Sequence, residues 1–367
     1  MASKAVKKKL LRLALIASEH TLCEYSMFLE HLLVGLADES VPVVLVCPPG
    51  PVADSITSGT VEVIRHPAVE LPLMQTANRK LLVDRLAKFN PGVLHCLCQT
   101  KAALTRRLAR HLDLPYVLMV NSLLKRWDRL SVSPRRCAKI IVPARSIGAN
   151  IAGLYPRFAE RIEQINIGTF VAQDVVCFSR FSRLATMVMT HPMDNVDDFE
   201  NLFTALRHMT IDGYEFMLVI AGGGRDQSQL RKLLSALGLL QIVTVVPRLK
   251  PFRSLLAAGD IFVQPQPRNV FDPFLFEAMS VGVAVAACKG GVDDLIMDDR
   301  TAVLFDPNYE LGIMATLQRL LGRRELARKI ARNAQQHLKE NHSVSKMVSA
   351  TLQAYDNAES WYKNPNL

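Results

Sequence analysis

Phe271-Asp272-Pro273-Phe274-Leu275-Phe276-Glu277-Ala278-Met279-Ser280-Val281-Gly282-Val283-Ala284-Val285-Ala286 is the stretch that decides how this chain is read. A loop runs into a short helix, expected over 274–281, which carries Glu277. Gly282 ends the helix, and an apolar run over 284–287 reads as a buried strand. Loop, helix and buried strand in this order are one turn of a wound α/β sheet.

Working outward, the same alternation fills the chain. In the first half, 11–17, 41–47, 61–64, 93–98, 116–120 and 140–143 read as strands, short and rich in β-branched residues. Between them, 24–38, 76–89, 100–112 and 145–155 read as helices. The pattern restarts with strands at 185–190, 216–221, 242–246, 261–264 and 303–305, and helices at 197–209, 227–237, 252–257 and 311–321. The expectation is α/β: two Rossmann-like, doubly wound parallel-sheet domains with ligands at the carboxyl ends of the strands, in a cleft between them. Domains are expected at 1–170, 171–345 and a C-terminal helix, 346–367, that returns to the first domain. The break is expected near 169–184, and the tail from 344 to 363 reads as an aromatic helix.

The totals agree with a globular chain. Of 367 residues, 49% are hydrophobic and 21% charged, which excludes a disordered composition. No run of 18 or more apolar residues exists. Lys7-Lys8-Lys9 followed by an apolar run has two readings, a short signal peptide or a first buried strand. Arg12 interrupts the run and favours the strand. The 7 cysteines have no metal-type spacing and read as reduced thiols of a cytoplasmic protein.

The charge is lopsided. Residues 1–170 hold 23 basic and 13 acidic side chains, and the remainder holds 21 of each, so the net +10 belongs to the first half. That half is expected to face something anionic. Lys101, Arg106, Arg107 and Arg110, then Lys125-Arg126-Trp127-Asp128-Arg129 and Arg135-Arg136, carry the excess. Leu123, Leu124 and Trp127 interleave with these cations. The mix suits peripheral contact with an anionic membrane face, and a solvated charged helix face is the alternative. Nucleic acid fits less well, because few aromatics are available to stack bases.

Several further stretches join the first one. Leu218-Val219-Ile220-Ala221-Gly222-Gly223-Gly224-Arg225 is a strand and glycine turn. Val245-Val246-Pro247-Arg248-Leu249, Ala257-Ala258-Gly259-Asp260-Ile261-Phe262-Val263 and Gly290-Gly291-Val292-Asp293-Asp294 follow at fixed order. In the first half, Val93-Leu94-His95-Cys96 and Leu118-Met119-Val120-Asn121 end two strands. Together these resemble the retaining glycosyltransferases of the GT-B fold, family 4 (glycosyl transferases group 1).

The resemblance implies roles for particular residues. Glu277 matches the second of two glutamates, eight positions apart, that hold a nucleotide-sugar, and it would accept hydrogen bonds from the donor ribose. An exposed helix acid is the alternative reading. The first glutamate's position is Asn269. Phe271 and Asp272 lie where the family's loop backbone meets the sugar, and Pro273 removes one amide donor there. Gly222 and Arg225 form the glycine turn, and Arg248 and Leu249 match the base-contacting segment. The family's diphosphate-binding arginine is best matched by His191, and its lysine position falls near Val196, among Asp194, Asp197 and Asp198. Asn121 stands where a histidine is usual. The first-domain loop Glu19-His20-Thr21-Leu22-Cys23-Glu24 lacks the usual glycines. Arg225, Arg248 and Lys289 are the candidates to replace the lost cations.

The expected activity is retaining transfer of a sugar from a nucleotide-diphosphate-sugar donor to an acceptor, anionic or lipid-linked, without metal or further cofactor. The alternative is a catalytically inactive pseudo-glycosyltransferase serving as a binding or scaffold module.

Overall fold

The computed structural model of the protein describes residues 11–50, 61–66, 75–179, 183–247 and 252–363, with the backbone alone for 75–78. Contacts divide the chain into two units, 1–168 with 344–367, and 169–343.

The first unit is built on seven parallel strands: β1 (Leu13–Ile16), β2 (Val43–Cys47), β3 (Val61–Arg65), β4 (Val93–Cys96), β5 (Tyr116–Met119), β6 (Cys137–Val142) and β7 (Ile162–Gln164). Their order is β3-β2-β1-β4-β5-β6-β7. Every residue of β1, β2, β4 and β5 is buried, as a parallel sheet covered on both faces requires. The helices are α1 (Glu19–Cys23), α2 (Ser26–Asp38), α3 (Gln75–Phe89), α4 (Ala102–Leu112) and α5 (Arg145–Leu154).

The second unit has six parallel strands, β8 (Ala185–Met189), β9 (Phe216–Ala221), β10 (Val243–Val246), β11 (Ile261–Gln264), β12 (Ala284–Ala287) and β13 (Val303–Leu304), in the order β10-β9-β8-β11-β12-β13. Its helices are α6 (Glu200–Ile211), α7 (Gln227–Ala236), α8 (Phe252–Leu256), α9 (Pro273–Val281), α10 (Glu310–Gly322) and α11 (Arg324–Asn341). The last helix, α12 (Val344–Lys363), packs in the first unit against α2, β4, β5 and β6. Val344, Met347, Val348, Thr351, Ala354, Tyr355 and Ala358 are its buried stripe, at helical spacing.

Some boundaries differ from expectation for local reasons. The helix expected over 24–38 is α2, which begins at Ser26, and a further short helix, α1, precedes it because Ser18 and Thr21 form a capping box in the loop after β1. The strand expected over 93–98 ends at Cys96, since Gln99–Lys101 already turns as a 3-10 segment. The strand expected over 140–143 begins earlier, at Cys137. β7 is only three residues long, and the buried face of α11 is rich in alanine (Ala327, Ala331, Ala334), so neither is marked by a run of large apolar residues. All seven cysteines are free thiols.

Candidate functional site

The quoted stretch is held by its two ends. Asp272 is the N-cap of α9: its Oδ1 accepts from the backbone N–H groups of Phe274 at 2.9 Å and Leu275 at 3.3 Å. Pro273 occupies the first helical turn, where no N–H partner exists to be lost. Gly282 closes the helix at φ 80°, and a Cβ there would stand 2.8 Å from the Cα of Val175. Phe274 through Val281 are all buried. Phe271 is buried too, its ring edge-on to Phe276 at 5.5 Å. So its side chain belongs to the core.

Glu277 is 5% exposed, which removes the exposed-acid reading. Its Oε2 accepts from Arg253 at 2.9 Å, and the same guanidinium donates to Ser280 Oγ at 2.9 Å and the Phe170 carbonyl at 3.0 Å. A buried carboxylate needs such a partner. Among the described residues, Oε1 has no hydrogen-bond partner.

The sheet order places the topological switch between β8 and β11, where ligands of open α/β sheets collect. A cavity of about 400 Å³ opens at this edge, lined from the β8 side by His191, Asp194 and Asp198 and from the β11 side by Gln266, Arg268 and Asn269. Thr190 Oγ1 and both amide atoms of Gln264, at the ends of the same two strands, are buried without a hydrogen-bond partner. Such atoms are costly unless something completes them. The Gln266 side chain donates to the Asp198 carbonyl at 3.2 Å and ties the two loops together.

His191 is not a cation here. Burial pushes its pKa down, the hydrogen bond to Pro192 opposes that, and the Arg268 charge adds to the fall. Its Nδ1 lies 2.8 Å from the Pro192 carbonyl and must donate, so Nε2 is an acceptor. Arg225 is 86% exposed and turned to Asp194, 3.6 Å from its carboxylate. Lys289 is exposed. Gly222 at φ 146° and Gly224, whose Cβ would meet the Met193 carbonyl at 2.3 Å, let this turn lie directly on the β8 loop.

Arg268 is the cavity's cation, and the sequence reading missed it. The family's diphosphate-binding cations follow the first strand of the domain, whereas Arg268 stands beside Asn269, the position of the family's first glutamate. Its side chain is 13% exposed, with Nε 3.9 Å from Asp272 Oδ2. That is an ion pair too long for a hydrogen bond, and among the described residues the guanidinium donates none. Its backbone is fixed: Val292 N–H donates to its carbonyl at 2.7 Å, and a Cβ on Gly291 would sit 2.1 Å from that oxygen.

Of the other expected residues, Asn269 is exposed and lines the cavity. Asn121 lies in the first unit, buried after β5, with its N–H 3.4 Å from Gln99 Oε1. Arg248 and Leu249 fall outside the described residues. His20 pairs locally with Glu24 at 3.4 Å. Among the described residues, no cluster of metal-ligating side chains occurs and no helix is long and apolar enough to cross a membrane.

Comparison with known proteins agrees with this architecture. A family model described as glycosyl transferases group 1 matches residues 182–337. The uncharacterized glycosyltransferase YqgM of Bacillus subtilis (strain 168) is 30% identical over 168 residues, 45% of this chain and 46% of that protein. The chain thus spans less than half the length of the curated relatives it matches. Among solved structures, Anabaena HepE in complex with UDP-glucose superposes with a TM-score of 0.79 at 14% identity, covering 94% of this chain and 99% of that one. A sucrose-phosphate synthase from Thermosynechococcus elongatus gives 0.77 at 15% identity, covering 95% and 99%. The fold is that of the GT-B glycosyltransferases, and the resemblance to the group 1 glycosyl transferases is borne out over the second unit.

Proposed function

We propose that the second unit binds a nucleotide-diphosphate sugar at the carboxyl ends of β8 and β11 and that the protein transfers the sugar, with retention, to an acceptor. The observation that carries this reading is the switch-point cavity with a half-buried, backbone-clamped arginine, Arg268, on its wall. A diphosphate leaving group gains charge as the glycosidic bond breaks, and a fixed guanidinium stabilises it without reorganising. Arg268 takes the place of the cations missing after β8. Glu277 Oε1 offers an acceptor to ribose hydroxyls, with Arg253 orienting the carboxylate through Oε2. His191 Nε2 and the Asn269 amide face sugar hydroxyls. That HepE was solved with UDP-glucose supports a donor of this class. The basic first unit turns toward an anionic acceptor or surface.

A non-catalytic binding module is the second reading, favoured by the Asp194 and Asp198 carboxylates at the cavity. Incubation with UDP-, GDP- and ADP-glucose, followed by assay of released nucleoside diphosphate, separates the two. Release with at least one donor, reduced about a hundredfold in Arg268→Gln, is expected of the transferase. Donor binding with no release in the folded protein would leave the module reading.

A further inference from the structure

The segment joining β5 to β6 is tied down along its length. Leu124 exchanges two hydrogen bonds with the Asn150 side chain, at 2.8 and 3.1 Å. The Tyr155 hydroxyl donates to the Asp128 carbonyl at 2.6 Å and accepts from Leu130 N–H at 2.9 Å. Ser133 N–H donates to the Tyr116 hydroxyl at 2.8 Å. Between these anchors the turn Lys125–Arg129 stands out into solvent, closed by Asp128 N–H to the Lys125 carbonyl at 2.9 Å and by Lys125 N–H to Asp128 Oδ2 at 2.7 Å.

At the tip of this turn Trp127 is 78% exposed. An indole is the costliest side chain to leave wet, and this one packs no core. Lys125, Arg126 and Arg129 around it are exposed, and among the described residues none is paired with a carboxylate. Asp128 spends one oxygen on the backbone of its own turn. A single indole, with no second aromatic in the turn, makes no platform for successive bases. An aromatic belt residue ringed by cations matches the interface of an anionic bilayer, where the indole sits at headgroup depth and each cation meets a lipid phosphate. The anchored turn is ordered before it binds, so little entropy is lost on docking.

We propose that the turn Lys125–Arg129 docks the first unit on an anionic lipid bilayer, Trp127 entering the headgroup boundary and Lys125, Arg126 and Arg129 contacting lipid phosphates. This rests on reading the first unit as the anion-facing one and is independent of the donor cavity.

The test uses the full chain carrying Trp361→Phe, so that Trp127 alone reports. Vesicles rich in phosphatidylglycerol are compared with pure phosphatidylcholine. Trp127 emission is expected to shift to the blue and to be quenched by brominated acyl chains on the anionic vesicles only. Trp127→Ala is expected to cut co-sedimentation about tenfold, as burial of a large aromatic side chain implies, and each neutralised cation about fivefold, with the melting midpoint unchanged. Absence of partitioning would overturn the proposal. So would partitioning that leaves Trp127 emission unmoved, or a Trp127 response to heparin or RNA but not to vesicles.

Discussion

Arg268 is held in place by a neighbour that has no side chain. Gly291 sits at φ 68° with its α-carbon against the Arg268 carbonyl. Gly291→Ala is expected to cost roughly 2–4 kcal/mol, from the left-handed backbone and the clash together, and to weaken nucleotide binding as Arg268 moves. Urea midpoints and a binding titration on the same variant check both parts. His95 supplies a second residue-scale expectation. Its ring is fully buried with Nδ1 2.6 Å from the Tyr355 hydroxyl and Nε2 unpartnered, and burial pushes its pKa down to about 3. The unfolded chain takes up this proton near pH 6.5, and the folded chain only near 3. Stability from this group is therefore complete above about pH 6.5 and declines as pH falls toward 3, by about 1.4 kcal/mol per unit. Between pH 7 and 5, His95→Gln is expected to lose about 2 kcal/mol less than the parent in urea titrations. A parallel pH dependence in the two proteins would remove His95 as the cause. At this scale the resemblance singled out Glu277 and Asn269, which lie buried against Arg253 and on the cavity wall respectively. It did not disclose that His191 is a neutral acceptor, because that follows from burial first and from the Arg268 charge, with the Pro192 carbonyl fixing the tautomer. Nor did it single out Arg268, since one arginine in a loop has no periodicity to mark it.

Among the elements, those with a strong pattern were legible. β11 and β12 fall where the apolar runs lie, and α9 starts one residue before the expected helix, where Asp272 caps it. The short α1 was hidden, since its start depends on a hydroxyl pair at Ser18 and Thr21 and not on hydrophobic period. The tail helix α12 is a clear stripe in sequence, but the strands it covers were decided by folding. Tyr355 on that helix completes His95 on β4, and Gly35 of α2 leaves room for Val348, whose Cγ2 would meet a Cβ there at 2.3 Å. A chain ending at Ser343 is expected to lose the cooperative unfolding transition of the first unit, because seven buried side chains of α12 vanish from its core. Near-ultraviolet dichroism across a urea titration would show this. A first-unit transition of unchanged midpoint would show that the helix is dispensable.

For the whole molecule, the division of labour follows charge and cavity. The first unit carries the basic excess and the exposed Trp127, and the second carries the switch-point cavity with Arg268 and Asn269 and, on α9, the buried Glu277. A ligand that binds only the folded second unit raises its stability with the logarithm of concentration over Kd. Titration calorimetry of UDP, GDP and ADP against the wild-type chain and Arg268→Gln tests the central claim most directly. Saturable binding of at least one diphosphate, weakened tenfold or more by the loss of one charge-assisted bidentate contact, is expected. Binding of none of the three, or equal affinity in the two proteins, would contradict a diphosphate held by Arg268.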